Sequence, residues 1–256
     1  MAATRPRTAL VTGAAARIGR AIALDLADAG WAVAVHYRGS ATAAEAVVDA
    51  IAAAGGRAAA LGANLADEAA TDALVERATE ALGPVGCLVN NASAFDDDRI
   101  DTMTRASWDR HMEVNLRAPA VLTQAMAEAL PTDATGCIVN LVDQRVLNLT
   151  PYFLSYTLSK AALWTLTRTT ALALAPRIRV NAIGPGPVLP SARQSRAQFD
   201  DQVARLPLGR GATPEDIART VRYIVSMEAM TGQLITLDGG QHLGWAQPGE
   251  PSPPVE

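Results

Sequence analysis

Seven short apolar runs recur along the chain, at Ala9–Thr12, Ala32–His36, Ala58–Leu61, Cys87–Asn90, Cys137–Asn140, Ile178–Asn181 and Leu234–Leu237. Runs of this length, rich in Val, Ile and Leu, predict strands buried on both faces. The segments between them carry apolar residues at helical intervals, as in Ile18, Ile22 and Leu26, or Leu163, Leu166 and Thr170 ahead of Pro176. Such alternation forces right-handed crossovers. It predicts an α/β fold, a doubly wound parallel sheet with helices on both faces and ligands at the carboxyl ends of the strands.

The 256 residues suffice for one continuous core without staples, and residues 1–246 read as a single domain. Two loops interrupt the rhythm, Ala94–Ser107 and the proline-rich Gly184–Thr213, the second a candidate substrate loop. The next helix has a legible start, with Thr213 as N-cap, Pro214 at the first position and Asp216 completing a capping box. Residues 247–256 are mostly Pro, Glu, Gly and Ser, and are expected to fray. With 22 basic and 26 acidic residues, and no block of five like charges, the chain lacks the basic patch of a nucleic-acid-binding protein. No apolar stretch reaches membrane-spanning length. Cys87 and Cys137 sit in apolar runs with no secretory leader ahead of them, which points to reduced thiols and the cytoplasm.

The chemistry-bearing residues fall at predicted strand ends. Thr12-Gly13-Ala-Ala-Ala-Arg17-Ile18-Gly19 follows the first strand and opens a helix, so its N–H groups and helix dipole suit a pyrophosphate. The second strand ends in His36-Tyr37-Arg38-Gly39-Ser40, with no carboxylate to select NAD. Arg38 and Ser40 instead suit the 2′-phosphate of NADPH. Tyr156 and Lys160, four apart at a helix start, share a face, and the ammonium is expected to lower the phenol's pKa.

Thr12-Gly-x5-Gly19, Asn90-Asn91-Ala92, Asn115, Tyr156-x3-Lys160, Pro185-Gly186 and Asp238-Gly-Gly240 together resemble the short-chain dehydrogenase/reductase family, over nearly the whole chain. The resemblance implies a Rossmann-type domain of about seven strands and a homotetramer. It implies that Asn90, Asn91 and Ala92 support the cofactor, that Asn115 helps place a proton-relay water, and that Lys160 binds the nicotinamide ribose. Tyr156 would be the proton donor. Asn64, with Leu65 after it, falls where an Asp commonly contacts adenine.

Two departures narrow the resemblance. Thirteen residues before Tyr156 the common serine is replaced by Asp143, and Arg17 stands where a glycine is usual. An ionised carboxylate repels a developing alkoxide, so Asp143 does not simply replace the hydroxyl. Both changes, with Asn91-Ala-Ser93-x-Phe95, resemble pteridine reductases. On that pattern Phe95 stacks on a pterin or folate ring, Ser93 and Arg17 meet its polar edge or the cofactor phosphates, and Asp143 assists proton delivery through Tyr156 or a water. Pro190 stands where a threonine holding the cofactor amide is expected. The remaining readings are plain: no metal site from His36, His111 and His242, a solvated Asp96–Asp98 loop, Trp108 in a helix core, and Trp164 at a subunit interface. The alternatives are a short-chain reductase of a ketone, aldehyde or acyl thioester, and a non-catalytic NADPH-binding regulatory protein.

Overall fold

The computed structural model describes residues 5–244; the expected frayed tail at 247–256 lies outside them. Seven strands form one parallel sheet: β1 (Thr8–Val11), β2 (Ala32–Tyr37), β3 (Ala58–Gly62), β4 (Val85–Asn90), β5 (Gly136–Leu141), β6 (Ile178–Pro185) and β7 (Leu234–Leu237). Their spatial order is 3-2-1-4-5-6-7. Eight helices connect and cover them: α1 (Arg17–Asp28), α2 (Ala41–Ala53), α3 (Glu68–Leu82), α4 (Arg105–Met112), α5 (Ala118–Ala129), α6 (Leu154–Ala173), α7 (Arg196–Ala204) and α8 (Pro214–Ser226). The order reverses between β1 and β4, and the crevice above that reversal is where such sheets bind ligands.

The pleat explains the two cores. Along β1, Ala9 and Val11 face a layer with Ile22 and Leu26 of α1, Val47 and Ile51 of α2, and Val221 and Ile224 of α8. Leu10, between them, faces the opposite layer with Leu74 of α3, Leu122 and Met126 of α5, and Leu88 and Ile138 of the sheet. Each Val, Leu, Ile or Met among these contributes about 1.5–3 kcal/mol by burial. Cys87 and Cys137 are in-register neighbours on β4 and β5, both buried and free.

Several expectations need correction. The stretch Gly184–Thr213 is not all loop, because β6 runs to Pro185 and α7 lies inside it. That helix has its own capping box, Ser195 with Gln198, and buries Phe199; the surrounding prolines hid a legible start signal. Trp108 is only half-buried on α4, whose fully buried side chain is His111. Asp98 is not part of a wet loop: it is buried and accepts hydrogen bonds from Ser107 and Ser155. The α8 start is as read, with Thr213 and Asp216 capping one another. Among the described residues no helix is long and apolar enough to cross a membrane.

Candidate active site

The glycine-rich turn is held from three sides. Gly13 has φ 63° and its N–H donates to His36 Nδ1 at 3.0 Å. Asn91 Nδ2 donates to Thr12 O at 2.8 Å and Gly13 O at 3.3 Å, while Thr12 Oγ1 accepts from the N–H groups of Asn91 and Ala92. A Cβ at Gly19 would lie 2.2 Å from Gly13 O and 2.6 Å from Asn91 Nδ2, so only glycine lets α1 begin this close to the turn. The first turn of α1 carries no acidic residue and no side-chain cap, which leaves its N–H groups to an anion. Arg17 adopts φ 53° and reaches across the crevice, donating to Pro190 O at 3.1 Å and Leu189 O at 3.3 Å.

At the ends of β2 and β3 the expected cofactor residues divide. His36 turns into the protein. It is buried, with Nδ1 accepting from Gly13 N–H and Nε2 facing Ala63 O at 3.1 Å, so these partners define a neutral ring that donates from Nε2. Burial lowers its pKa to about 4. Tyr37 lies over Gly62, where a Cβ would meet its ring at 3.0 Å. Arg38 and Ser40 are exposed on the loop into α2. Asn64 is exposed and accepts from Ala66 N–H, while Leu65 turns inward.

The reacting groups converge on a cavity of about 210 Å³, lined by Arg17, Ser93, Phe95, Asp143, Tyr156 and Lys160 among others. Ile18, Asn91, Pro185 and Gly186 line it too. Gly186 is fixed as glycine by Asp238, whose Cα would lie 2.8 Å from a Cβ there. Tyr156 Oη donates to Asp143 Oδ2 at 2.8 Å, and Asp143 Oδ1 accepts from Arg145 N–H at 2.8 Å. The Tyr156 pKa is raised well above the phenol range, first by burial and then by the Asp143 charge, with Arg145 opposing. This reverses the expectation that Lys160 lowers it. The Lys160 ammonium is buried, donates to Leu141 O at 2.7 Å, and lies 5.8 Å from the Tyr156 ring centroid. Burial brings its pKa down to about 8, Asp143 opposing.

Phe95 stacks on Phe153, centroids 4.8 Å apart, and meets Tyr156 edge-on at 4.7 Å. The Arg193 guanidinium lies 4.9 Å from the Phe95 ring and donates to Phe95 O. The Asn115 side chain, on a π-helical turn (Glu113–Arg117), is a brace for the loop after β4. Its Oδ1 accepts from Ala94 N–H and Ser93 Oγ, and its Nδ2 donates to Ala94 O and Ser159 Oγ, which spends its whole capacity.

Sequence reasoning passed over Gln144, Arg145 and Phe199, which also line the cavity. Gln144 is buried and its Oε1 has no hydrogen-bond partner, an acceptor left for a donor on a ligand. Adjacency to Asp143 was the only available signal. A buried chain from Asn90 through Asn140 to Thr167 also ties β4 and β5 to α6, with no spacing to announce it.

Residues 13–242 match the family model described as Enoyl-(Acyl carrier protein) reductase. The chain is 35% identical over 242 residues to a 3-oxoacyl-[acyl-carrier-protein] reductase FabG of Staphylococcus epidermidis, covering 93% of this chain and 99% of that one. Among solved structures it is similar to FolM Alternative dihydrofolate reductase 1 from Brucella canis, complexed with NADP. The identity is 48% and the TM-score 0.93, over 97% of this chain and 98% of that one. The Brucella suis protein of the same name, also with NADP, is 50% identical with a TM-score of 0.91, over 97% and 99%. With the sheet order, the glycine-rich turn and the Tyr156–Lys160 pair, these matches show that the chain belongs to the short-chain dehydrogenase/reductase family of oxidoreductases.

Proposed function

We propose that this protein is an NADPH-dependent reductase that transfers a hydride to a pterin or dihydrofolate-like ring. The observation that carries the reading is Asp143, hydrogen-bonded to Tyr156 Oη on the wall of a cavity that also holds Phe95 and Lys160. The likeness to the Brucella FolM proteins, described as alternative dihydrofolate reductases in complex with NADP, supports it. The residues present fit the cofactor. Gly19 lets α1 start against the Gly13 turn, and the uncapped start of α1 suits its pyrophosphate. Arg38 and Ser40 stand exposed where a 2′-phosphate is read. Lys160 has three N–H groups and spends one on Leu141 O, leaving donors for ribose hydroxyls.

When bound, the cofactor supplies the hydride to a ring carbon. The protein supplies the proton to the adjacent nitrogen. Tyr156 keeps its proton at neutral pH because burial and Asp143 hold its pKa high, so it is a reservoir that delivers to a basic nitrogen. Asp143 orients that O–H and then accepts from the N–H formed, an interaction a carboxylate cannot give an alkoxide. Phe95 offers an aromatic wall for a flat ring and Gln144 Oε1 an acceptor for a ring N–H. A cytoplasmic homotetramer belongs to the same reading, supported by the free buried thiols and by Leu158 and Leu172 exposed on α6.

The test is NADPH oxidation with dihydrobiopterin and dihydrofolate, beside NADH, a simple ketone and an acetoacetyl thioester. Pterin-dependent oxidation preferring NADPH is expected, with Asp143→Ser and Tyr156→Phe each lowering kcat roughly 100-fold and leaving NADPH affinity unchanged. Reduction of the thioester without pterin turnover would establish the acyl-thioester reading that the FabG likeness favours. NADPH binding without any turnover would establish the regulatory one.

A further inference from the structure

Helix α6 presents Tyr156, yet it lacks a cap of its own. Phe153, just ahead of it, has φ 56° and makes no side-chain cap bond, so the first N–H groups of the helix need acceptors from elsewhere. Asp98, from the loop after β4, provides them. Its carbonyl accepts from Leu154 N–H at 2.9 Å and its Oδ1 from Ser155 N–H at 2.9 Å. Its Oδ2 accepts from the hydroxyls of Ser155 and Ser107. His111 continues the network, with Nδ1 at 2.6 Å from Ser155 Oγ and Nε2 accepting from Asp96 N–H at 3.0 Å. A backbone N–H only donates, so Nε2 is bare and Nδ1 carries the proton. Hydrogen bonds therefore run one way, from His111 to Ser155 to Asp98.

Asp98 is 3% exposed, and His111 and Ser155 are fully buried. The serine stands between the acid and the imidazole, and none of the three is accessible, so this is not a nucleophilic triad. What it touches is Tyr156. The His111 ring meets the Tyr156 ring edge-on at 6.0 Å, while Phe95 meets it at 4.7 Å. The phenol is thus walled by two rings, one of which is locked by Ser155 and, through it, Asp98.

We infer that Asp98, Ser155 and His111 are positioning residues that hold the Tyr156 phenol on Asp143, a role beyond capping the helix. The turnover arm of the test rests on the proposed pterin reduction; a spectroscopic arm does not. Asp98→Asn keeps shape and one acceptor oxygen but replaces the other with an amide that cannot accept from the serine hydroxyls. Ser155→Ala leaves His111 Nδ1–H without its acceptor. Ile224→Val, which trims the core of α8 away from the site, serves as a stability-only control.

The protein has four tyrosines, so carbon-13 labelling at Cζ gives four signals, and Tyr156→Phe assigns the relevant one. In Asp98→Asn and Ser155→Ala the Tyr156 signal alone is expected to move. In both, kcat is expected to fall roughly tenfold or more with NADPH affinity unchanged, as suits a small displacement of a reacting group. The control lowers the melting temperature and changes neither. An unmoved Tyr156 signal in both variants, with only the melting temperature lowered, would reduce the network to a helix cap and overturn the inference. If the wild type reduces no pterin, the functional proposal fails while the carbon-13 arm still decides this one.

Discussion

His36 makes the protein acid-sensitive at one identifiable place. Its pKa is about 4 in the fold against 6.5 when free, because burial disfavours the charged ring. Between those values the unfolded chain binds a proton that the folded chain refuses, so stability is lost as pH falls through that window. The loss from this residue is about 2 kcal/mol between pH 7 and pH 5, and about 3 kcal/mol by pH 4. His36→Asn keeps an acceptor for Gly13 N–H, does not titrate, and loses the donor to Ala63 O. At neutral pH the variant should therefore be less stable by about 1 kcal/mol, plus the packing lost. Urea unfolding followed by tryptophan fluorescence at pH 7, 6 and 5 measures both proteins, and carboxylates common to the two cancel in the difference. The gap should close or reverse by pH 5. NADPH affinity of the folded wild type should hold from pH 7 to pH 5, because the folded ring stays neutral and keeps its bond to Gly13 until the pH nears its own pKa of about 4. Parallel stability curves for the two proteins would refute the argument.

Arg38→Asp should weaken NADPH roughly 10- to 100-fold, the worth of one charged hydrogen bond, and shift preference toward NADH in a fluorescence titration; unaltered NADPH affinity would contradict the assignment. Lys160 loses its proton near pH 8, so NADPH affinity should decline from pH 7 to pH 9, and a Lys160→Met variant should show no such dependence. The same shift destabilises the fold below pH 8, a cost relieved as pH rises toward the free lysine value of 10.5. Arg17→Gly removes a left-handed arginine, worth about 1 kcal/mol, but deletes the bonds to Leu189 and Pro190. Its melting temperature should hold while limited proteolysis near residues 187–195 accelerates.

The fold was legible because buried strands and amphipathic helices write their periods directly into the chain, and each of the seven apolar runs overlaps an observed strand. The glycine turn and the Tyr156–Lys160 pair were legible for the same local reason. The bonds that were not legible share a different cause. His36 bonds Gly13 and Ala63, Asn115 bonds Ala94 and Ser159, and Asp98 bonds Ser155. Each of these partners lies between 21 and 57 residues away in the chain. Local spacing cannot say which donor a buried acceptor will meet, so the internal partners of His36, Asn115 and Asp98 had no signal in the sequence.

The Tyr156–Lys160 pair takes that lesson to the chemistry. Four-residue spacing brings the two onto one helix face and invites the inference that the cation acidifies the phenol. The sign is set instead by Asp143, which accepts the phenol's hydrogen bond at 2.8 Å and raises its pKa alongside burial. A serine at position 143 would remove the negative charge and leave burial, opposed by the Arg145 cation, as the influences on the phenol. The aspartate therefore changes what the tyrosine can do. It favours holding a proton for a basic acceptor over stabilising a phenolate, and it disfavours an alkoxide product beside it. A ring nitrogen that becomes an N–H donor meets both conditions, whereas a ketone oxygen with alkoxide character is a basic acceptor but puts negative charge beside the Asp143 carboxylate.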